Sequence, residues 1–155
     1  MKSDDVVSTH TRETMTKLGY MGLIPFLAGL FVSLTGSTLF GLSGEALFIT
    51  YSVVILSFLS GILWGSGIEN FENPWSNKAL VLSNVIVLAA WLSVLVGESN
   101  ELVSLPILLI GYVAVWRAEK LMRTENQSAG PDGYFDMRTR LTSSVILMHG
   151  IVLLT

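Results

Sequence analysis

Five apolar runs, set apart by short polar stretches, organise this chain. The first runs from Leu18 to Gly36, entered from Lys17. Pro25 lies about two turns in and predicts a kink, because proline removes a helical hydrogen bond. Gly22 and Gly29 share a helix face on which another helix can approach closely. A Gly- and Ser-rich linker, Ser37 to Glu45, leads to the second run, Ala46 to Ile68. Asn73-Pro74 has the form of an N-cap followed by a first-turn proline, so the third helix is expected over Pro74 to Gly97. The fourth covers residues 102 to 124. Its uncharged part ends at Trp116 and spans only ~22 Å, with Arg117 able to snorkel and the last turns outside the membrane. Gln127 to Gly133 reads as a loop by its turn chemistry, and a fifth, short segment covers Leu141 to Thr155. The pattern predicts an all-α, polytopic membrane protein: a bundle of about five transmembrane helices in one domain, residues 18 to 155.

The second run is the centre of that expectation. Ser57, Gly61 and Gly65 recur every fourth residue, fall on one face, and predict a close-packing stripe. The stripe suits another segment of this chain or a second copy.

Composition agrees with lipid as the solvent. Only 14% of the 155 residues are charged, against about 25% in soluble domains. The net charge of −3 gives no reason to expect nucleic acid, and the absence of cysteine excludes thiolate metal sites and disulfides. Met1 to Lys17 is polar and lacks the basic start of a secretory peptide, so the first apolar run is expected to be a retained anchor. The tail is read as disordered, with a short surface helix near Thr11 to Lys17.

Charge placement orients the chain. Five crossings put all nine Lys and Arg on one side and leave Glu45, Glu98 and Glu101 as the charged side chains on the other. The positive-inside rule then predicts a cytoplasmic N-terminus and a periplasmic C-terminus.

Candidate chemistry is sparse. His149 is the one ionisable side chain inside a segment, near mid-membrane. Burial of a polar ring favours a neutral imidazole hydrogen-bonded to another helix; a proton or ligand role is the alternative. Asn84 is placed at a similar depth and is a candidate partner for it. Trp64, Trp75, Trp116 and Tyr134 map to one interface as an aromatic belt, where Arg117, Arg138 and Arg140 would also face lipid headgroups. Glu119 is expected to pair with Arg123 one turn on. No catalytic, metal or cofactor motif is present, and none is implied.

Three blocks carry a resemblance: L-G-Y-M-G-L-I-P-F from Leu18, Y-S-V-V-I-L-S-F-L-S-G-I-L-W-G from Tyr51, and Y-F-D-M-R-T-R-L-T from Tyr134. In that order they resemble the transmembrane protein 69-like family, otherwise a domain of unknown function (3429). The matching positions include Gly22, Pro25, Phe26, Tyr51, Ser57, Gly61, Trp64, Gly65, Tyr134, Arg138 and Thr142. Leu63 and Gly133 depart from the family pattern. The resemblance implies a bacterial inner-membrane protein of about five helices, related to a mitochondrial one, and implies no activity.

The sequence therefore favours a non-enzymatic accessory subunit or assembly factor, with a membrane-protein partner or a second copy. The alternative is a small transporter or channel, proton-linked through His149.

Overall fold

The structure is a computed structural model and describes residues 2–97, 101–125 and 133–155. The helices are α1 (Lys2–Met21), α2 (Ile24–Thr35), α3 (Gly44–Glu69), α4 (Ser76–Gly97), α5 (Glu101–Glu125) and α6 (Tyr134–Val152). A two-residue-per-strand hairpin, β1 (Thr38–Leu39) and β2 (Leu42–Ser43), joins α2 to α3. Four stretches are long and apolar enough to cross a membrane: Thr9–Thr35, Gly44–Glu69, Ser76–Gly97 and Leu102–Arg123. The chain is a helical membrane bundle.

The tail does not behave as expected. Residues from Lys2 onward continue the helix that was predicted to start at Leu18. Lys17 pairs with Glu13 one turn back, and hydroxyls of Thr14 and Thr16 return to backbone carbonyls one turn behind, so the polar stretch is compatible with helix. The break comes at Gly22–Leu23, just before Pro25. Pro25 has no N–H to offer the carbonyl of Met21, and its ring crowds that carbonyl; it sits instead in the first turn of α2. The freed carbonyl of Gly22 accepts the Tyr51 hydroxyl of α3 at 3.1 Å, so the break is held rather than loose.

Each later boundary has a local cause. Gly36, left-handed at φ 60°, ends α2, and the N–H groups of Gly36 and Ser37 return to Ser33 and Val32. The hairpin turns on Phe40 and Gly41, both at positive φ. Ser43 caps α3 by accepting from the Ala46 N–H at 3.1 Å. Asn73 folds the next corner: its Oδ1 accepts from Trp75 N at 2.8 Å, and its Nδ2 donates to the Met122 carbonyl of α5. Helix α4 therefore starts at Ser76, two residues after the expected Pro74. Helix α6 starts at Tyr134 rather than Leu141, and most of the expected loop 127–133 lies outside the described residues.

Neighbours alternate in direction. Gly29 faces Phe48, while Tyr51 reaches back to Gly22, so α2 and α3 are antiparallel. The Ser104 hydroxyl bonds the Ser93 carbonyl across α4 and α5. The Trp116 indole bonds Thr139 across α5 and α6. This up-and-down order gathers Arg12, Lys78, Arg117, Arg123, Arg138 and Arg140 at one end of the bundle, the basic end, and leaves Glu45 beside Ser33 at the other.

The core joins Phe26, Phe48, Leu56, Ile86, Leu108 and Tyr112, among others. Close approach is made at glycines other than most of those expected. A methyl on Gly44 would overlap the backbone of Ser33, one on Gly29 would lie 3.1 Å from the Phe48 N, and one on Gly111 would lie 2.6 Å from a Leu56 methyl. Helix α4 supplies the long small-residue seam: Ser76, Ala79, Ser83, Ile86, Ala90 and Ser93 are all buried, spaced alternately three and four apart.

The Ser57, Gly61 and Gly65 face, open in the sequence to another segment or to a second copy, does not meet another segment at its glycines. Gly61 is exposed, Ser57 and Gly65 are half-buried, and a methyl on Gly61 or Gly65 would meet nothing within 4 Å among the described residues. The faces of α3 that pack inside the chain carry Ser52, Leu56, Leu59, Ser60, Leu63 and Gly67.

Candidate functional site

The inner face of α6 carries the polar side chains that sequence reasoning largely placed elsewhere. Arg138, Thr142, Val145, Met148, His149 and Val152 are all buried on it. Together with α2, α3 and α5 they form three polar layers along the bundle axis, each separated from the next by apolar packing.

The middle layer is built on His149, which has no exposed surface. Its Nδ1 lies 2.8 Å from the Val145 carbonyl, an acceptor only, so Nδ1 carries the proton. Nε2 is then the acceptor and takes the Ser52 hydroxyl at 3.0 Å. Tyr112 donates to the Ser52 carbonyl at 2.9 Å. The Val145 bond sets the proton on Nδ1, and full burial among apolar rings favours the neutral imidazole. Rings of Phe48 and Tyr112 meet it edge-on at 4.8 and 5.4 Å, and Phe26 lies at 6.3 Å. Asn84 is not part of this layer. It is exposed on the outer surface of α4, where its Nδ2 donates to the Leu80 carbonyl one turn back.

The basic-end layer holds an ion pair. Arg138 Nε donates to Glu119 Oε2 at 3.0 Å, with the two side chains only 7% and 6% exposed. Arg138 also donates to the Thr142 hydroxyl at 3.2 Å. Glu119 Oε1 and Arg138 Nη2 are buried with no hydrogen-bond partner among the described residues. Both assignments differ from expectation. Glu119 pairs across helices with Arg138, not along its own helix with Arg123, whose guanidinium lies over the Tyr134 ring at 4.6 Å. Arg138 faces inward rather than toward headgroups. The cue in the sequence is its spacing: Arg138, Thr142, Val145 and His149 recur at helical intervals on one face.

At the far end, the Ser33 hydroxyl donates to Glu45 at 2.5 Å and lies 3.0 Å from the Thr155 hydroxyl, closing α2, α3 and the chain terminus together.

The remaining aromatic and basic residues sit around the basic end. Trp64 is 43% exposed, and Trp75 carries the Lys78 ammonium over its ring at 4.1 Å. Trp116 is half-buried, stacked on Phe135 at 6.2 Å, and Lys120 lies over its ring. Arg117 and Arg140 are exposed, and Tyr134 is half-buried.

The three layers do not form a continuous hydrogen-bonded chain. From Thr142 to His149 is seven residues, about 10 Å along the helix, with Val145 and Met148 buried between. Each layer instead ties α6 or the residues after it to other helices: the basic-end layer joins it to α5, and the middle and far layers join it to α3 and α2, distant in sequence.

A family model described as a protein of unknown function (DUF3429) matches residues 11–154. No curated protein and no solved structure matches the chain.

Proposed function

The chain belongs to the DUF3429 family of proteins of unknown function, and we propose that this member is a non-catalytic subunit or assembly factor of a larger complex in a bacterial inner membrane. The observation that carries this reading is the Ser57, Gly61 and Gly65 stripe of α3. Small residues in membrane helices allow backbones to approach, and here a methyl on Gly61 or Gly65 would meet no atom of the described chain within 4 Å. Val54, Phe58 and Trp64, on the same side of α3, are exposed beside the stripe. A helix of a partner protein, or of a second copy, is the matching occupant. The gathered basic residues support a cytoplasmic N-terminus and a periplasmic C-terminus.

A conducting role through His149 has less support. The ring has no exposed surface, and apolar side chains separate its layer from the other two. Proton pathways need polar or wetted continuity.

Native mass spectrometry of the protein extracted from its own membrane tests the proposal. A retained partner or second copy is expected, released by Gly61→Leu with Gly65→Leu while the isolated chain keeps its melting temperature. A monomer that carries no protein partner from gentle extraction would end it. For orientation, cysteines placed at Phe40 and Arg140 should label from opposite sides of intact cells, Phe40 from outside.

A further inference from the structure

A groove of about 240 Å³ runs between α4 and α5 at the basic end, distinct from the stripe on α3. Its floor is apolar and small: Ala79 and Leu82 on one wall, Ala114 and Ala118 on the other. Its rim is cationic on both sides. Lys78 stands on the α4 wall with its ammonium over Trp75, and Arg117 stands on the α5 wall, exposed. No acidic residue lines the groove. Arg117 has no ion-pair or hydrogen-bond partner among the described residues, although Arg138 and Lys17 both have one.

We propose that this groove is a binding site for one anionic phospholipid, with its phosphate between Lys78 and Arg117 and an acyl chain along Ala79, Leu82, Ala114 and Ala118. Three physical points select that occupant. The floor offers no hydrogen-bonding side chain, so the part of the ligand seated there is hydrocarbon. Two cations without a lining carboxylate favour a negative head, and they lie at the end where interfacial Trp75 sits. The volume falls below the roughly 300 Å³ at which pockets for whole drug-sized ligands begin, which suits a segment of chain whose remainder lies in the surrounding bilayer. Alanine at three of the floor positions is what leaves room; a larger side chain there would fill the space itself.

The test uses the full chain in micelles of a zwitterionic detergent, titrated with dioleoyl phosphatidylglycerol or dioleoyl phosphatidylcholine and read by native mass spectrometry. One phosphatidylglycerol per chain is expected to survive dissociation, with clearly weaker retention of phosphatidylcholine. Each juxtamembrane cation contributes enough that Lys78→Gln or Arg117→Gln should weaken binding about 5-fold, and the double variant about 30-fold. Ala118→Phe should reduce binding by blocking the floor, whereas Lys17→Gln, at an exposed cation paired with Glu13, should leave it unchanged. Soluble glycerol phosphate should not compete; if it displaces the lipid fully, a free phosphate is the ligand and the acyl groove is wrong. Equal retention of the two lipids by the unaltered chain would overturn the proposal without reference to any variant. So would undiminished phosphatidylglycerol binding by the double variant.

Discussion

Removing one member of the Glu119–Arg138 pair should cost far more than removing both. Nε and Oε2 lie 3.0 Å apart, and both side chains are more than nine-tenths buried. Arg138→Met leaves a carboxylate without its contacting cation. Glu119→Leu leaves a guanidinium that keeps one side-chain hydrogen bond among the described residues, to the Thr142 hydroxyl. Stranding one buried charge costs about 3–5 kcal/mol. The two losses should differ in order. A carboxyl can be neutralised by a proton, while a guanidinium keeps its charge, so Glu119→Leu belongs at the upper end and Arg138→Met at the lower. The double variant Glu119→Leu/Arg138→Met removes both desolvation costs at once. Because Oε1 and Nη2 already lack partners, those atoms lose nothing favourable. Such replacements are commonly neutral or stabilising by about 1–4 kcal/mol, so the double variant should match or exceed the original protein. The assay is reversible unfolding of the four proteins in one detergent, followed by circular dichroism. The coupling energy should then be at least as large as the two single losses together. Losses that simply add in the double variant would refute the reasoning, because they would show that the two side chains do not interact in the folded protein.

Other outcomes follow from the same geometry. Gly44→Ala should destabilise by about 1–3 kcal/mol or more, since its methyl meets the backbone of Ser33. Gly61→Ala should be neutral or stabilising by up to about 1 kcal/mol, since it meets open space and gains helix propensity; the same unfolding assay compares the two. Phe40→Gly should relieve a bulky residue held at φ 55° and 90% exposed, a gain of about 1 kcal/mol if hairpin strain governs the loop, read as a raised melting temperature. Ser52→Ala should cost only about 0.6 kcal/mol, the average for a hydrogen bond between membrane helices, and should shift the His149 imidazole resonances in a nuclear magnetic resonance spectrum. An unmoved His149 resonance would count against the assigned tautomer.

Much of the fold was legible in the sequence. The second and fourth apolar runs became α3 and α5 with ends moved by one or two residues, and the proline in the first run marked its break. Helix α6 was read seven residues short because Asp136, Arg138 and Arg140 look like an end to an apolar segment. They are its first turns, and Arg138 lies inside. The tail was misread because its polarity excludes the membrane but not the helix.

What the chain order alone determined was local: which stretches are apolar for long enough to cross hydrocarbon, where glycine and proline interrupt them, and how the basic residues sort between alternate loops. Which face of each helix turns inward was decided only by the assembled bundle. In water, polarity marks the outer face of a helix. In lipid both faces are apolar, so a small-residue stripe such as Ser57, Gly61 and Gly65 carries no sign of which way it points. The Glu119–Arg138 pair was hidden for a related reason. Its members lie on different helices, and only packing brings them within 3.0 Å.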